Sequence, residues 1–159
     1  MIRRAKETDT AWIRDTAAEV YRQLGDYATI IPSWLEHSGV LAYVEEVDVD
    51  GAPRRRGFIL LGFYEPDNAA PGEYIADLLA IAIAPPYQRQ GVGRTLLRYA
   101  IHVARLAGRE NRVPEIRLTV AETNEAGRRL FLSSGFRDLD EDHGSYEGGQ
   151  RAIRMSLAL

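Results

Sequence analysis

The segment of this sequence with the clearest chemical potential is the loop Gln88-Arg89-Gln90-Gly91-Val92-Gly93-Arg94. Glycine at positions 91 and 93 lets backbone amides approach a ligand without obstruction by a Cβ atom. If a helix begins here, its unpaired N–H groups and its dipole favour a pyrophosphate, and Arg89 or Arg94 could add positive charge. A tight strand-to-helix turn that binds nothing would contain the same glycines. The loop alone therefore leaves both interpretations open.

The elements around this loop can be predicted from the spacing of apolar residues. Strands are predicted at residues 2–5, 40–49, 58–64, 74–84, 115–120, 136–139 and 152–157. Helices are predicted at about residues 10–24, 27–37, 93–108 and 124–134, the first capped by Asp9 or Thr10, the second interrupted by Pro32, and the last capped by Thr123 or Asn124. The Asp50-Gly51 turn should join the second and third strands as a hairpin. We expect one mixed α/β domain over residues 1–159.

Composition narrows the classes of function. The 159 residues are 45% hydrophobic, enough for one sizeable core, and a net charge of −3 argues against nucleic acid as the main partner. With no cysteine there is no disulfide, thiolate metal site or cysteine nucleophile, and the three histidines are too scattered to predict a metal site. No apolar run is long enough to span a membrane, so we expect a cytoplasmic protein. Arg54, Arg55 and Arg56 are expected to solvate the hairpin.

Two stretches of the chain carry a resemblance to a known family. Residues 81–97 resemble the acetyl-CoA-binding segment of the GNAT superfamily of N-acetyltransferases, in which a strand and a proline precede Arg/Gln-x-x-Gly-x-Gly/Ala at the start of a helix. Gln88, Gly91 and Gly93 fill the three defining positions. Residues 118–136 resemble the family's strand, its asparagine at Asn124, and a helix that ends in Gly-Phe.

The resemblance implies a fold and a cofactor site. It implies a central, mostly antiparallel sheet that splays between its fourth and fifth strands and is flanked by helices, with the acyl-pantetheine arm of acetyl-CoA in the gap. Asn124 would contact that arm as well as cap its helix. A backbone N–H around Ile83 would stabilise the oxyanion. The residues expected to bind the cofactor are Ile81, Ile83, Gln88, Arg89, Gln90, Gly91, Val92, Gly93, Arg94, Thr95, Asn124 and Phe131.

Asp77 and Tyr146 are the candidate catalytic groups. Asp77 is our candidate base, because it lies where histone-acetyltransferase-like members carry a glutamate; it could equally be a strand-end aspartate paired with a basic neighbour. Many members have a tyrosine acid where this chain has Phe131. Tyr146, in a segment that resembles the final hairpin of amino-terminal acetyltransferases, is the substitute candidate, unless the thiolate departs unaided. Glu45, Glu73 and His143 are reserves for the base.

The predicted function is transfer of an acetyl group from acetyl-CoA to an amine, either a small amine or a peptide amino terminus, without a metal. A catalytically inactive acyl-CoA-binding sensor is the alternative, and Phe131 is the residue that favours it. No nucleic-acid or membrane partner is expected. Homodimers are common in the superfamily, but no residue of this chain commits it to one.

Overall fold

The computed structural model describes the whole chain from Met1 to Leu159 as one seven-stranded sheet with four α-helices. None of the helices is long and apolar enough to cross a bilayer. The strands are β1 (Ile2–Arg4), β2 (Val40–Val49), β3 (Ala52–Tyr64), β4 (Ile75–Ile83), β5 (Glu115–Ala121), β6 (Arg137–Asp138) and β7 (Ala152–Ala158). The helices are α1 (Thr10–Val20), α2 (Tyr27–Glu36), α3 (Val92–Ala107) and α4 (Glu125–Ser133).

A gap in the middle of the sheet is the feature that matters most for function. The strand order is β1-β2-β3-β4-β5-β7-β6, and every neighbouring pair is antiparallel except β4 and β5. Those two parallel strands pair only where residues 76–78 face residues 116–118. Beyond this point β4 continues to Ile83 and β5 to Ala121 without pairing to each other. The predicted fold class, including the splay between the fourth and fifth strands, is confirmed.

A β-bulge in β4 lies at the start of this gap. Leu78 pairs with Leu61 and Ala80 with Leu60, so Leu79 has no partner residue on β3. An extra residue reverses the faces to which the following side chains point. Accordingly, Leu78 belongs to the core beneath α3, whereas Ala80 belongs to the core beneath α1 and α2.

The sheet therefore separates two apolar cores. The larger core joins α3 and Phe131 of α4 to one face of the sheet, with Leu96, Leu97, Ile116 and Leu118 almost completely buried. The smaller core joins α1 and α2 to the other face of β2, β3 and β4. The α1–α2 side does not extend over β5 and β7, whose side chains on that face are polar, such as Arg117, Thr119 and Arg154.

The first helix begins at Thr10 as predicted but ends earlier than predicted. It ends at Val20 instead of residue 24, because Tyr21 leaves the helical conformation. Asp9 does occupy the N-cap position, but its side chain makes no capping hydrogen bond to α1. Instead its carboxylate is completely buried and accepts hydrogen bonds from Arg3 and Arg55.

The second helix continues through Pro32 and ends at Glu36, so the interruption predicted at the proline is wrong. The predicted Asn124 cap of α4 is confirmed, since its side chain accepts a hydrogen bond from the Gly127 N–H at 2.9 Å. Gly135, which follows the C-cap residue Ser134 of α4, has the left-handed conformation expected of a helix stop, with φ of 98°.

The third strand begins six residues earlier than predicted, and this changes the interpretation of the arginine run. The tight turn at Asp50 and Gly51 feeds directly into β3, so the arginines lie on a strand. Arg55 binds buried Asp9 at 2.8 Å, and Arg56 binds the buried carboxylate of Glu45. Two of the three arginines therefore neutralise buried carboxylates, and the prediction that they only solvate the hairpin is wrong.

Candidate active site

The loop between β4 and α3 is held in a defined shape by its own glutamines. The Gln88 side-chain amide donates to the Ile83 carbonyl at 3.0 Å, and the Gln90 amide donates to the Pro86 carbonyl at 3.1 Å. Arg89 and Gly91 both adopt positive φ, at 63° and 85°. Alternation of left-handed with ordinary residues turns successive N–H groups towards a common point, the arrangement of an anion-binding nest.

This loop presents a continuous run of free backbone donors. The N–H groups of residues 89–94 donate to no acceptor within the protein, and Gly91 caps α3 without a side chain. No acidic residue lies in the first turn of α3, while Arg89 and Arg94 are exposed beside it. Free N–H groups, the positive end of a helix dipole and two arginines together make a site for an anion. Val92 is buried beneath the loop, and the Thr95 hydroxyl donates to the Gly91 carbonyl.

The edge of β4 that faces the gap is partly occupied by Tyr21. The Tyr21 hydroxyl donates to the Ile81 carbonyl at 2.6 Å and accepts from the Ile81 N–H at 3.0 Å. Main-chain groups of alternate residues point to the same edge of a strand, so those of Ile83 face the gap as well. The Ile83 carbonyl is bound by Gln88, which leaves the Ile83 N–H as a donor towards the gap.

Sequence reasoning did not select Tyr21. Its ring packs on Tyr27, with ring centroids 4.7 Å apart, and burial of the hydroxyl raises the pKa of Tyr21 well above its ordinary value. One signal was present: Tyr21 follows the fully buried Ile13 and Ala17 at the same four-residue spacing. That spacing indicates a buried face, but it does not show that a hydroxyl would reach β4.

Asp77 lies on β4 at the closed end of the gap, one residue before the last β4–β5 pair. Its carboxylate forms an ion pair with Arg154, with 3.6 Å between Oδ2 and Nη2. Burial is the larger influence and raises the pKa of Asp77 above its ordinary value, while Arg154, Arg117 and His143 act in the opposite direction. The half-buried carboxylate therefore has the pKa shift expected of a general base. It also has a basic neighbour, as expected if Asp77 were only a strand-end aspartate in an ion pair.

Asp77 and the Ile83 N–H cannot act on the same atom. Six residues of extended strand separate them by about 20 Å, whereas a base must lie within hydrogen-bond reach of the proton that it removes, directly or through one water. The bulge at Leu79 is about 7 Å from Asp77 along the strand. A reacting carbonyl that Asp77 can serve must therefore lie near the bulge, and not beside Ile83 as the sequence suggested.

The long connection between β6 and β7 is docked against the α1–α2 loop. The Gly148 N–H donates to the Leu24 carbonyl at 3.0 Å, and the Gln150 side-chain amide donates to the Gln23 carbonyl at 2.9 Å. This docking half-buries Tyr146 close to Tyr27, and burial raises the pKa of Tyr146. The candidate acid is therefore beside the Tyr21–Tyr27 pair, and not on the helix where Phe131 lies.

Gly148 allows a direct test of this docking. A Cβ at Gly148 would lie 1.9 Å from the Gln23 carbonyl oxygen, a contact that only movement of the backbone can relieve. We expect Gly148→Ala to undock the connection and to speed amide exchange in residues 146–150 and 23–26 by tenfold or more, measured by hydrogen exchange. A matched control is Gly144→Ala, whose Cβ meets nothing within 4 Å and adds only the strain of its positive φ. Unchanged exchange in Gly148→Ala would show that the loops are held together by other contacts.

The remaining predicted residues lie on the β5 side of the gap. Asn124 is exposed at the start of α4. A Cβ atom added at Gly127 would lie only 2.5 Å from the carboxamide nitrogen of Asn124, so the capping side chain lies directly against this glycine. Phe131 is 5% exposed and packs edge-on against Phe136 in the larger core.

Among the reserve bases, Glu45 is bound to Arg56 and Glu73 lies 3.5 Å from Arg112. No three metal-ligating side chains come together in the fold.

Comparison with known proteins identifies the family of this chain. The sequence model of the acetyltransferase (GNAT) family matches residues 7–136, which is most of the chain. The chain belongs to the acetyltransferase (GNAT) family. This confirms the resemblance seen in the two motifs. It also confirms, at the level of the family, the prediction of an acetyltransferase.

One curated relative of this GNAT chain is the [ribosomal protein bS18]-alanine N-acetyltransferase of Escherichia coli strain K12. The two are 36% identical over 87 residues, covering 53% of this chain and 56% of the relative. The matched part thus spans about half the length of the curated relative. The same enzyme of Shigella flexneri matches equally well.

Solved structures with the same fold include NAA60 of Arabidopsis thaliana in complex with a bisubstrate analogue. It covers all of this chain and 98% of its own, with a TM-score of 0.81 at 10% identity. The ribosomal-protein-S18-alanine N-acetyltransferase of Escherichia coli covers 99% of this chain and 92% of its own, with a TM-score of 0.65 at 23% identity. At these identities the likeness shows the fold, and the fold agrees with the family.

Proposed function

We propose that this chain transfers an acetyl group from acetyl-CoA to an amine. The observation that carries the proposal is the set of unbonded N–H groups at residues 89–94, at the start of α3 and beside the open gap between β4 and β5. The free N–H groups suit a pyrophosphate, and the open gap suits an extended acyl arm. Acetyl-CoA contains a pyrophosphate followed by such an arm. Family membership supports the same donor.

The donor would use the predicted binding residues in two groups. Residues 88–95 form the cradle for the pyrophosphate, with the exposed Arg89 and Arg94 at its sides. The amide-rich arm would then extend into the gap, where the Ile83 N–H faces it from β4 and Asn124 from the other side. The Ile81 N–H and carbonyl become available to the arm only if the Tyr21 hydroxyl moves away from them.

The chemistry requires the amine in its neutral form. A lysine-type amine has an ordinary pKa of about 10.4 and an amino terminus about 8, so both are mostly protonated at neutral pH. Asp77 would accept that proton, directly or through a water. The amine lone pair would attack the thioester carbon near the Leu79 bulge, with a backbone N–H of this segment as the oxyanion donor. Collapse of the tetrahedral intermediate would break the carbon–sulfur bond, and the nitrogen would release its remaining extra proton to solvent or to the departing sulfur, so that the products are the acetylated amine and CoA.

The departing thiolate needs little help from the protein. A thiol with a pKa of about 8.5 leaves readily without an acid. Phe131 has no proton to give, and the raised pKa of Tyr146 makes that hydroxyl a poorer donor than an ordinary tyrosine. Unassisted departure, or protonation by solvent, therefore fits this site better than transfer from Tyr146. Tyr146 would instead contact the acceptor from the docked β6–β7 connection.

The charge of the nucleotide cradle gives a prediction about donor binding. Arg94→Glu should weaken acetyl-CoA binding by tenfold or more, since it replaces an attractive charge beside the pyrophosphate with a repulsive one. The same change should not weaken the fold, because an acidic residue in the first turn suits the helix dipole. Isothermal calorimetry gives the affinity, and thermal unfolding gives the stability.

Arg105→Glu is the matched control for this measurement, since Arg105 is exposed in the last turn of the same helix. It should leave acetyl-CoA affinity unchanged. Equal affinities for wild type and Arg94→Glu would remove Arg94 from the site. Failure of the wild-type chain to bind acetyl-CoA at millimolar concentration would overturn the proposed function altogether.

The acceptor is best found with a panel of amines. Release of CoA thiol should be followed for peptides with different amino-terminal residues and for small amines, with acetyl-CoA as donor. A peptide that begins with alanine comes first in this panel, because the curated relative acts on the alanine of a ribosomal protein. Amine-dependent thiol release and a product mass increased by one acetyl group are the expected results.

A sensor that binds acyl-CoA without catalysis is the second candidate. The observation that favours it is Phe131, a buried ring at the position where many family members carry a tyrosine acid. Acetyl-CoA binding without thiol release across the whole panel would favour the sensor over the enzyme.

A further inference from the structure

Arg154 is a largely buried charged side chain to which the sequence analysis assigned no function. It lies on β7, directly opposite Thr119 of β5, and its side chain is only 12% exposed. The side chain extends across β5 to Asp77 on β4 and to the Tyr64 hydroxyl at the end of β3. One guanidinium therefore contacts groups from three strands other than its own.

The contacts of this guanidinium divide between its two terminal nitrogens. Nη1 donates to the Thr119 hydroxyl oxygen at 3.2 Å, and Nη2 donates to the Tyr64 hydroxyl oxygen at 3.3 Å. Nη2 also lies 3.6 Å from Oδ2 of Asp77, a distance that makes this contact an ion pair and not a hydrogen bond. The two hydroxyls thus hold the planar group in place, and Asp77 contributes the opposite charge.

The position of these contacts along the strands is informative. The last β4–β5 pair joins Leu78 to Leu118, and Thr119 is the first residue of β5 beyond it. Arg154 therefore connects β5 and β4 at the point where the two strands begin to separate. Its side chain closes the base of the gap on the polar face of the sheet.

We propose that Arg154 is a positioning residue that holds the Asp77 carboxylate ionised and directed towards the base of the gap. The part of this inference that concerns catalysis rests on the proposed function, whereas the effect of Arg154 on the ionisation of Asp77 does not. Asp77 and Arg154 have side chains 18% and 12% exposed, so solvent screens this pair less than a surface pair.

Two other basic side chains influence Asp77, but only Arg154 forms an ion pair with it. Arg117 reaches it from β5, yet its guanidinium donates to Glu115 at 2.7 Å, and Glu115 also accepts from the Ser156 hydroxyl. His143 approaches from the exposed β6–β7 connection. Arg154 is thus the cation in direct contact, and an opposite charge at this range lowers a carboxyl pKa by about 1–3 pH units.

The direct test is the pKa of Asp77 measured by carbon-13 NMR of its carboxyl group. Arg154→Met keeps the length of the side chain and removes its charge, so we expect the pKa of Asp77 to rise by at least one pH unit. Arg154→Lys keeps the charge but loses the fork that contacts both hydroxyls, so it should leave the pKa within about half a unit of wild type. If Arg154→Met does not fold, Arg154→Lys and Thr119→Val are used in its place. Each removes part of the hydrogen bonding that holds the cation, so each should let the Asp77 carboxyl occupy a broader range of positions.

The same variants give a catalytic readout. A rise in the pKa of Asp77 moves the acid limb of the kcat/KM profile to higher pH, because activity is lost when the base is protonated. In Arg154→Met this would appear as a tenfold or larger loss of kcat/KM at pH values below the wild-type limb, with acetyl-CoA affinity unchanged. A merely structural function would lower kcat/KM equally at all pH values.

The outcomes separate the two proposals. An unchanged Asp77 pKa in Arg154→Met overturns the inference, whatever the activity. A raised pKa in a chain that shows no acetyl transfer to any amine supports the positioning function and contradicts the proposed enzyme. A raised pKa with no movement of the acid limb would show that Arg154 controls Asp77 but that Asp77 is not the base.

Discussion

Replacing Asp77 with asparagine should lower kcat/KM for acetyl transfer by a factor of about 10²–10⁴, the usual contribution of a general base. The cradle at residues 88–95 is at the other end of β4, so the affinity for acetyl-CoA should not change. Asparagine keeps the shape of the side chain and removes its ability to accept a proton. The measurement is the steady-state rate with the best amine of the panel, together with calorimetry of acetyl-CoA.

The pH profile makes this test more specific. Burial raises the pKa of Asp77 above its ordinary value, and the carboxylate is the active form. The wild-type rate should therefore fall as pH drops through the folded pKa of Asp77, and this acid limb should disappear in Asp77→Asn. The residual rate of the variant should depend on pH only through the protonation of the amine.

Glu115→Gln is a matched control for Asp77→Asn. Glu115 is also a half-buried carboxylate on the polar face of the sheet, but it is bound to Arg117 and Ser156 at the start of β5. It should change the rate by no more than a few fold. Full activity of Asp77→Asn would remove Asp77 as the base, and its interaction with Arg154 would then be only structural.

The elements and the nucleotide cradle could be predicted from the sequence because both are local. Apolar spacing along 93–108 and the glycines at 91 and 93 require only neighbours in the chain, and the structure places α3 and its open N-terminus there. The cap at Asn124 and the left-handed Gly135 are similarly local. Hairpin chemistry at Asp50 and Gly51 also identified the turn, although not the full length of β3.

The contacts that shape the reaction centre could not be predicted in this way. Tyr21 binds Ile81 across 60 residues, and Arg154 reaches Asp77 across a strand that lies between them in the sheet. Such contacts depend on strand order and on the bulge at Leu79, which decides the face to which each later side chain of β4 points. Apolar spacing does not encode this extra residue, because every residue of β4 from Leu78 to Ile83 is apolar and no alternation marks the bulge.

Helix α1 connects the Tyr21 contact in the gap with an ion-pair cluster at the other end of the helix. Its C-terminal end is held at the gap by the Tyr21 hydroxyl on Ile81. Its N-terminal end follows Asp9, whose carboxylate joins Arg3 of β1 and Arg55 of β3. The position of Tyr21 in the gap therefore depends in part on an ion-pair cluster at the opposite end of the helix.

Asp9→Ala is accordingly expected to lower the free energy of unfolding by about 3–5 kcal/mol, the usual cost of removing one partner from a buried ion pair. The carboxylate is completely buried and accepts hydrogen bonds from Arg3, Arg55 and the Lys6 N–H, so the variant leaves two arginines without their common anion. Urea unfolding gives the change. Amide exchange at Ile81 should also increase, because a loosened α1 no longer holds Tyr21 against β4.

The pH dependence has a defined sign, and a surface pair on the same helix provides the control. Arg3 holds the pKa of Asp9 well below its ordinary value, so Asp9 stabilises the fold above its unfolded pKa of about 3.9, and this stability is lost as pH falls through its folded pKa. Asp9→Ala should therefore be closest to wild type at the acid end of the accessible range. Asp15→Ala removes an exposed carboxylate paired with Arg14 and should cost no more than about 1 kcal/mol. A loss in Asp9→Ala as small as that in Asp15→Ala would show that α1 is anchored by its apolar face alone.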